Sequence, residues 1–132
     1  MLNYQTFEVP EDTQKEALNL LQQIAKTGNI KKGTNEVIKA IERSQAKIVY
    51  IAMDVSPEEI VAVLPPLCNE KKVPYIFINT KKNLGIAAGI SVGSASIAVV
   101  EAGKLEDELK KFTQKITTLS AETSKPQQEQ TQ

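Results

Sequence analysis

The sequence predicts an α/β fold, a three-layer α/β/α sandwich with a small mixed β-sheet. Two observations carry this. Short runs rich in Ile, Val, Tyr and Phe recur at residues 47–52, 75–78 and 95–100 and read as core strands. Segments with helical apolar spacing alternate with those runs. A single domain over residues 1–119 is expected at this length, followed by a polar tail at 120–132.

The elements follow in order. Pro10 and Asp12 open a helix that runs to about Thr27 and stops at Gly28, with an apolar stripe of Ala17, Leu18, Leu21, Ile24 and Ala25. Residues 29–32 make a short edge strand. Thr34 is expected to cap the next helix by accepting an early N–H. That helix runs to about Ser44 and turns Val37, Ile38 and Ile41 inward. After the strand at 47–52, Ser56 caps and Pro57 starts a short helix to Val63, and Pro66 to Lys72 forms another. The strand Tyr75–Ile78 leads to a short basic helix from Lys81, then a glycine-flanked apolar loop, then the strand at 95–100. Lys104 to Leu119 is amphipathic on Leu105, Leu109, Phe112 and Ile116. From Ser120 onward the chain is rich in Gln, Thr and Ser and reads as disordered.

Lys and Arg balance Asp and Glu at 16 each, which argues against a polycation that coats nucleic acid. The charges are segregated, however. Lys26, Lys31, Lys32, Lys39, Arg43 and Lys47 face only Glu36 and Glu42 in their stretch, and residues 71–96 carry four lysines and no acid. A basic face on a neutral chain fits a compact, shape-specific RNA contact.

Two segments carry the candidate chemistry. The first is Lys31-Lys32-Gly33-Thr34-Asn35-Glu36-Val37-Ile38-Lys39. Asn35 and Glu36 lie in the first turn of a helix, with Lys39 one turn on along the same side. An amide donates and accepts, a carboxylate only accepts, and an ammonium only donates. Such a set suits guanine, with N–H donors on one edge and O6 and N7 acceptors on another. The same residues also make an ordinary surface helix start. The second segment runs from Lys81 through Gly85 and Gly89 to Ile90-Ser91-Val92. An apolar loop beside lysines can hold an unstacked base while the lysines meet phosphate. Alternatively, Ile90 and Val92 tuck into the core.

Together these motifs resemble the L-seven-Ae ribosomal protein family of kink-turn RNA-binding proteins, in its archaeal form. Phe7-Glu8-Val9-Pro10, Lys32-Gly33-Thr34-Asn35-Glu36, Ile51-Ala52-Met53-Asp54-Val55, Leu64-Pro65-Pro66-Leu67-Cys68 and Leu84-Gly85 with Ala87-Ala88-Gly89-Ile90 carry the resemblance, over roughly residues 7–118. It implies that Asn35, Glu36 and Lys39 touch the tandem sheared G·A pairs of a kink-turn, beside Lys32. Gly33 would let backbone approach the RNA, Arg43 would meet phosphate, and Lys81 with Ile90, Ser91 and Val92 would hold the flipped-out nucleotide. The resemblance further implies as RNA partners ribosomal RNA, box C/D and H/ACA guide RNAs and ribonuclease P RNA. A coiled-coil scaffold protein and fibrillarin are the implied protein partners in guide particles. The chain departs from the archaeal pattern at Ile86, Ser91 and Gly93, where a basic residue, an acid and a proline are common. Val92, where eukaryotic relatives carry arginine, points to the archaeal type.

Other classes are weaker. With no His, neither a Cys-His nor a Ser-His-Asp site can be built. Cys68 excludes an intramolecular disulfide and reads as a buried small hydrophobe. Asp54, Glu58 and Glu59 can be posed as a Mg²⁺ cluster, but Glu58 and Glu59 follow Pro57 and suit a helix start. Gly85 and Gly89 lack the context of a dinucleotide loop, so no cofactor is expected. A protein-binding adaptor is the alternative reading, with Glu106, Asp107 and Glu108 as its acidic surface. No signal peptide or membrane span is read, and a cytosolic protein is expected.

Overall fold

The computed structural model describes residues 7–123, with side chains through residue 120. The elements are α1 Glu11–Thr27, β1 Asn29–Lys32, α2 Thr34–Glu42, β2 Ile48–Ala52, α3 Glu59–Ala62, α4 Leu64–Lys71, β3 Tyr75–Ile78, α5 Lys81–Ala87, β4 Ser96–Glu101 and α6 Glu106–Thr123. A 3-10 turn at Gly103–Leu105 precedes α6.

The strands form one sheet in the order β1-β4-β2-β3. β4 pairs antiparallel with both β1 and β2, while β2 and β3 run parallel, joined by the crossover through α3 and α4. Every residue of β2 and β3 is buried, so both sheet faces are covered. α1 packs against α5 and α6, and α2 packs against α4, β1 and β4. The result is the expected three-layer sandwich with a mixed sheet.

The core satisfies its few polar groups. The Tyr50 hydroxyl is fully buried and donates to the Ala17 carbonyl at 2.9 Å, and burial pushes its pKa up. Phe7, Tyr75 and Phe77 form an aromatic trio with ring centroids 5.3–5.7 Å apart, which fastens the segment before α1 onto β3. Cys68 is buried as expected, and its thiol is pushed up to about 12 by burial. It stays protonated near neutral pH and is no nucleophile.

Several expected boundaries shift. Thr34 does not cap α2. Gly33 occupies the N-cap position with no side-chain cap, and the Thr34 hydroxyl turns to Ser96 instead, at 3.1 Å. α2 ends at Glu42, and Ser44 takes a positive φ of 58°. Ser56 does not cap α3, which begins only at Glu59, after a turn in which the Pro57 carbonyl accepts the Ile60 N–H. α4 starts at Leu64, before the expected Pro66, because prolines in a first helical turn forfeit no bond. Leu18, Ala25 and Ile38, expected inside, are half-buried, while Leu20 is buried. α6 continues to Thr123, past the expected end at Leu119. The rest of the expected tail lies outside the described residues. Among the described residues no helix is long and apolar enough to cross a membrane.

Candidate nucleic-acid interface

Strand register gathers the two candidate segments at one end of the sheet. Lys32, closing β1, pairs with Ile97, and Ile51, near the end of β2, pairs with Ser96, which opens β4. β2 and β3 finish side by side at Ala52 and Ile78. The turn into α2, the residues after β2, the start of α5 and the loop entering β4 therefore emerge together.

The turn into α2 depends on Gly33. Its φ of +94° is a conformation that side chains rarely adopt, and a Cβ there would face open space. Its N–H donates to the Ser96 carbonyl at 3.1 Å, and its own carbonyl accepts the Val37 N–H at 2.9 Å. The backbone is thus held from behind and bare in front. Asn35, Glu36 and Lys39 are exposed, while Val37, Ala40 and Ile41 are buried on the opposite side. Glu36 and Lys39 form a 3.5 Å ion pair with each side chain about half exposed, so the pair is weak and open to exchange for a ligand. Lys32 is exposed, as is Arg43, the C-cap residue of α2. Arg43 continues the Lys39 stripe at i+4 but sits roughly 13 Å along the axis from the helix start. It belongs to the flank of the site, away from its centre.

The second segment folds back on itself. The Thr80 hydroxyl caps α5 by accepting the Asn83 N–H at 3.1 Å. The Lys81 N–H donates to Asp54 Oδ1 at 2.7 Å. The Ile90 N–H bonds the Gly85 carbonyl and the Ser94 N–H bonds the Lys81 carbonyl, each at 3.0 Å. A Cβ built on Gly93 would lie 3.0 Å from Lys81 Cγ, so the Lys81 stem runs beside the loop. Ser91 and Val92 are exposed, Val92 at 68%. Ile90, expected in the nucleotide-holding loop, is half-buried, and its N–H is tied into the helix it follows. Ile86 adds a further exposed apolar side chain. Val92→Ala should therefore leave the melting temperature unchanged, whereas Ile90→Ala should lower stability by about 1 kcal/mol, the lower range for a partly buried truncation. Thermal melts of the two single variants check this.

Both segments meet at Ser96, which is fully buried. Its carbonyl accepts the Gly33 N–H at 3.1 Å and the Ser94 hydroxyl at 2.9 Å, and its hydroxyl pairs with that of Thr34 at 3.1 Å. Sequence reasoning missed Ser94, Ser96 and the true partner of Thr34, since none carries a local signal. It also weighed Asp54 only as a metal ligand, whereas the structure gives its carboxylate to the α5 entry. The acidic surface of the adaptor reading is partly spent as well. Glu106 pairs with Lys47 at 2.8 Å, and that hydrogen bond holds its carboxyl below the usual range.

Comparison with known proteins places the chain in a family. Residues 15–109 match the model of the "Ribosomal protein L7Ae/L30e/S12e/Gadd45 family", a span that holds both candidate segments. Among solved structures, the chain is similar to the Giardia lamblia 15.5kD RNA binding protein. The two are 33% identical, with a TM-score of 0.83 over 90% of this chain and 99% of that one. With more than half its length matched and the fold shared almost throughout, the chain belongs to the ribosomal protein L7Ae/L30e/S12e/Gadd45 family.

Proposed function

We propose that this chain is a non-catalytic RNA-binding protein that recognises and stabilises kink-turns. The observation that carries the reading is the meeting of the Gly33–Lys39 turn and the Lys81–Val92 segment at one sheet end, tied through Ser96. The similarity to a solved RNA-binding protein supports it. Asn35, Glu36 and Lys39 read the sheared G·A pairs, with Lys32 and the bare Gly33 backbone against the RNA strand. Lys81, Ile90, Ser91 and Val92 cradle the flipped-out nucleotide, with Val92 giving apolar cover and Lys81 meeting phosphate. Arg43 binds phosphate on the flank. The first-turn N–H groups of α2, which lack a side-chain cap, suit a phosphate acceptor.

The mechanism is selection of a shape. The kinked form is a minor state of free RNA, and a ligand that binds only that form draws the population to it by its differential affinity. The protein thereby organises RNA for others, in the cytosol, and performs no chemistry. Its RNA targets on this reading are ribosomal RNA, box C/D and H/ACA guide RNAs and ribonuclease P RNA. A scaffold protein and fibrillarin join it in guide particles.

The deciding experiment is a gel shift with a kink-turn RNA beside one whose G·A pairs are replaced by Watson–Crick pairs. Clear preference for the kink-turn is expected. Equal binding leaves only a basic surface, and no binding to either favours the adaptor.

A second measurement separates reading from positioning. Arg43→Ala should weaken binding to all RNAs alike and reduce the salt slope by about one phosphate contact. Lys39→Ala should weaken kink-turn binding more than duplex binding. Titrations of both variants at several salt concentrations distinguish them, and matching selectivities and slopes would show that the two roles are wrongly assigned.

A further inference from the structure

We propose that Thr34, Ser94 and Ser96 form a hydroxyl strut that fixes the base-reading start of α2 relative to the nucleotide-holding loop, making Thr34 and Ser94 positioning residues for kink-turn selectivity. The inference rests on the RNA-binding reading and adds residues that touch no RNA in it.

The geometry carries the argument. Thr34 is the first residue of α2, directly after the N-cap Gly33. Its hydroxyl reaches across 62 residues to the Ser96 hydroxyl at 3.1 Å. Ser96 has no access to solvent, so water cannot substitute for its partners. Its carbonyl takes two donors, one from each half of the site: the Gly33 N–H at 3.1 Å and the Ser94 hydroxyl at 2.9 Å. A carbonyl oxygen has two lone pairs, and both are thereby filled. Ser94 is itself buried, and its N–H anchors the loop to the Lys81 carbonyl at 3.0 Å. A continuous path of hydrogen bonds thus runs from Lys81 through Ser94 and Ser96 to Gly33 and Thr34.

Such a path fixes a distance. The kink presents its G·A pairs and its extruded nucleotide at a set separation, so a site that reads both at once needs its halves in register. Nonspecific contact with phosphate does not.

The test compares Thr34→Val, which keeps the shape and removes the hydroxyl, with Thr34→Ser, which keeps the hydroxyl. Kink-turn affinity, duplex affinity and melting temperature are measured for each. Thr34→Val should lose roughly threefold to tenfold in kink-turn affinity, the scale of one hydrogen bond. Duplex affinity should hold, and Thr34→Ser should restore most of the loss. Ser94→Ala should act in the same direction from the loop side. Because both act through Ser96, the Thr34→Val/Ser94→Ala double variant should lose less than the product of the two single losses. Multiplicative losses, or equal losses on kink-turn and duplex, would overturn the strut. So would unchanged kink-turn affinity in both single variants of a wild type that binds kink-turns. A wild type that shows no kink-turn preference defeats the underlying RNA reading instead.

Discussion

Glu36→Gln should weaken kink-turn binding by about 1–3 kcal/mol, while the melting temperature of the free protein hardly moves. The substitution preserves size and replaces one acceptor oxygen with a donor NH₂ group. Where the carboxylate accepts guanine N–H groups, one contact becomes donor against donor. Plain electrostatics predicts the opposite sign, since removing a negative charge beside phosphate should help. The structure sharpens the contrast. Among the described residues Glu36 pairs with Lys39, at 3.5 Å with both side chains half exposed, and an exposed pair of that kind contributes about 0–1 kcal/mol. Breaking it frees the Lys39 ammonium for the RNA. A loss of affinity can thus come neither from unfolding nor from charge. Isothermal titration with a kink-turn RNA measures it, and tighter binding by the Gln variant would falsify the base-reading role.

The second large effect is expected from Gly85→Ala. Helix propensity favours this change by up to about 1 kcal/mol. Packing opposes it. A Cβ at Gly85 would lie 2.0 Å from the Val92 carbonyl oxygen, with further backbone atoms at about 3 Å. The Cβ is fixed by its own backbone and the atoms it meets are main chain, so no rotamer relieves the clash. The loop must lift, breaking the Ile90 N–H bond to Gly85 and straining the Ser94 N–H bond to Lys81. A net loss of about 1–3 kcal/mol of stability is expected, the usual range for overpacking. Kink-turn affinity should fall with it, because Ser91 and Val92 are displaced. Denaturant midpoints give the first quantity, and amide exchange at Ile90 and Ser94 shows whether the loop has opened. An unchanged or raised midpoint with protected amides would remove the close-approach argument.

The elements of this fold were legible in the sequence wherever the signal was local. Tyr75–Ile78 was read to the residue because a short apolar run between Pro74 and Asn79 admits few alternatives. The edge strand at Asn29–Lys32 was found from its place between Gly28 and Gly33. The exposed stripe of Asn35, Glu36 and Lys39 followed from helical spacing alone. What failed was each feature set by a distant partner. Thr34 looks like a cap, but Gly33 takes the N-cap position, and nothing nearby announces Ser96 as the partner of the Thr34 hydroxyl. Asp54 gives no local sign that its carboxylate receives the Lys81 N–H at the α5 entry. Gly85 carries no local sign of its constraint, since only the returning Val92 backbone makes a side chain impossible. Ile90 and Val92 have the same apolar character, yet the folded loop leaves Ile90 half-buried and Val92 exposed.

The strand order β1-β4-β2-β3 has a consequence for the chain as it is synthesised. The last strand to be made lies in the interior of the sheet, between two strands made earlier. Until residues 96–101 leave the ribosome, β1 has no neighbour in the sheet and the Gly33 N–H lacks the Ser96 carbonyl. A nascent chain that has completed α2 already carries Asn35, Glu36 and Lys39, but on a turn with nothing behind it. Insertion of β4 between β1 and β2 closes the sheet and seats both halves of the site in one event. On the proposed reading, selection of a bent RNA therefore waits for β4, and a product truncated before it offers RNA a few lysines and no shape.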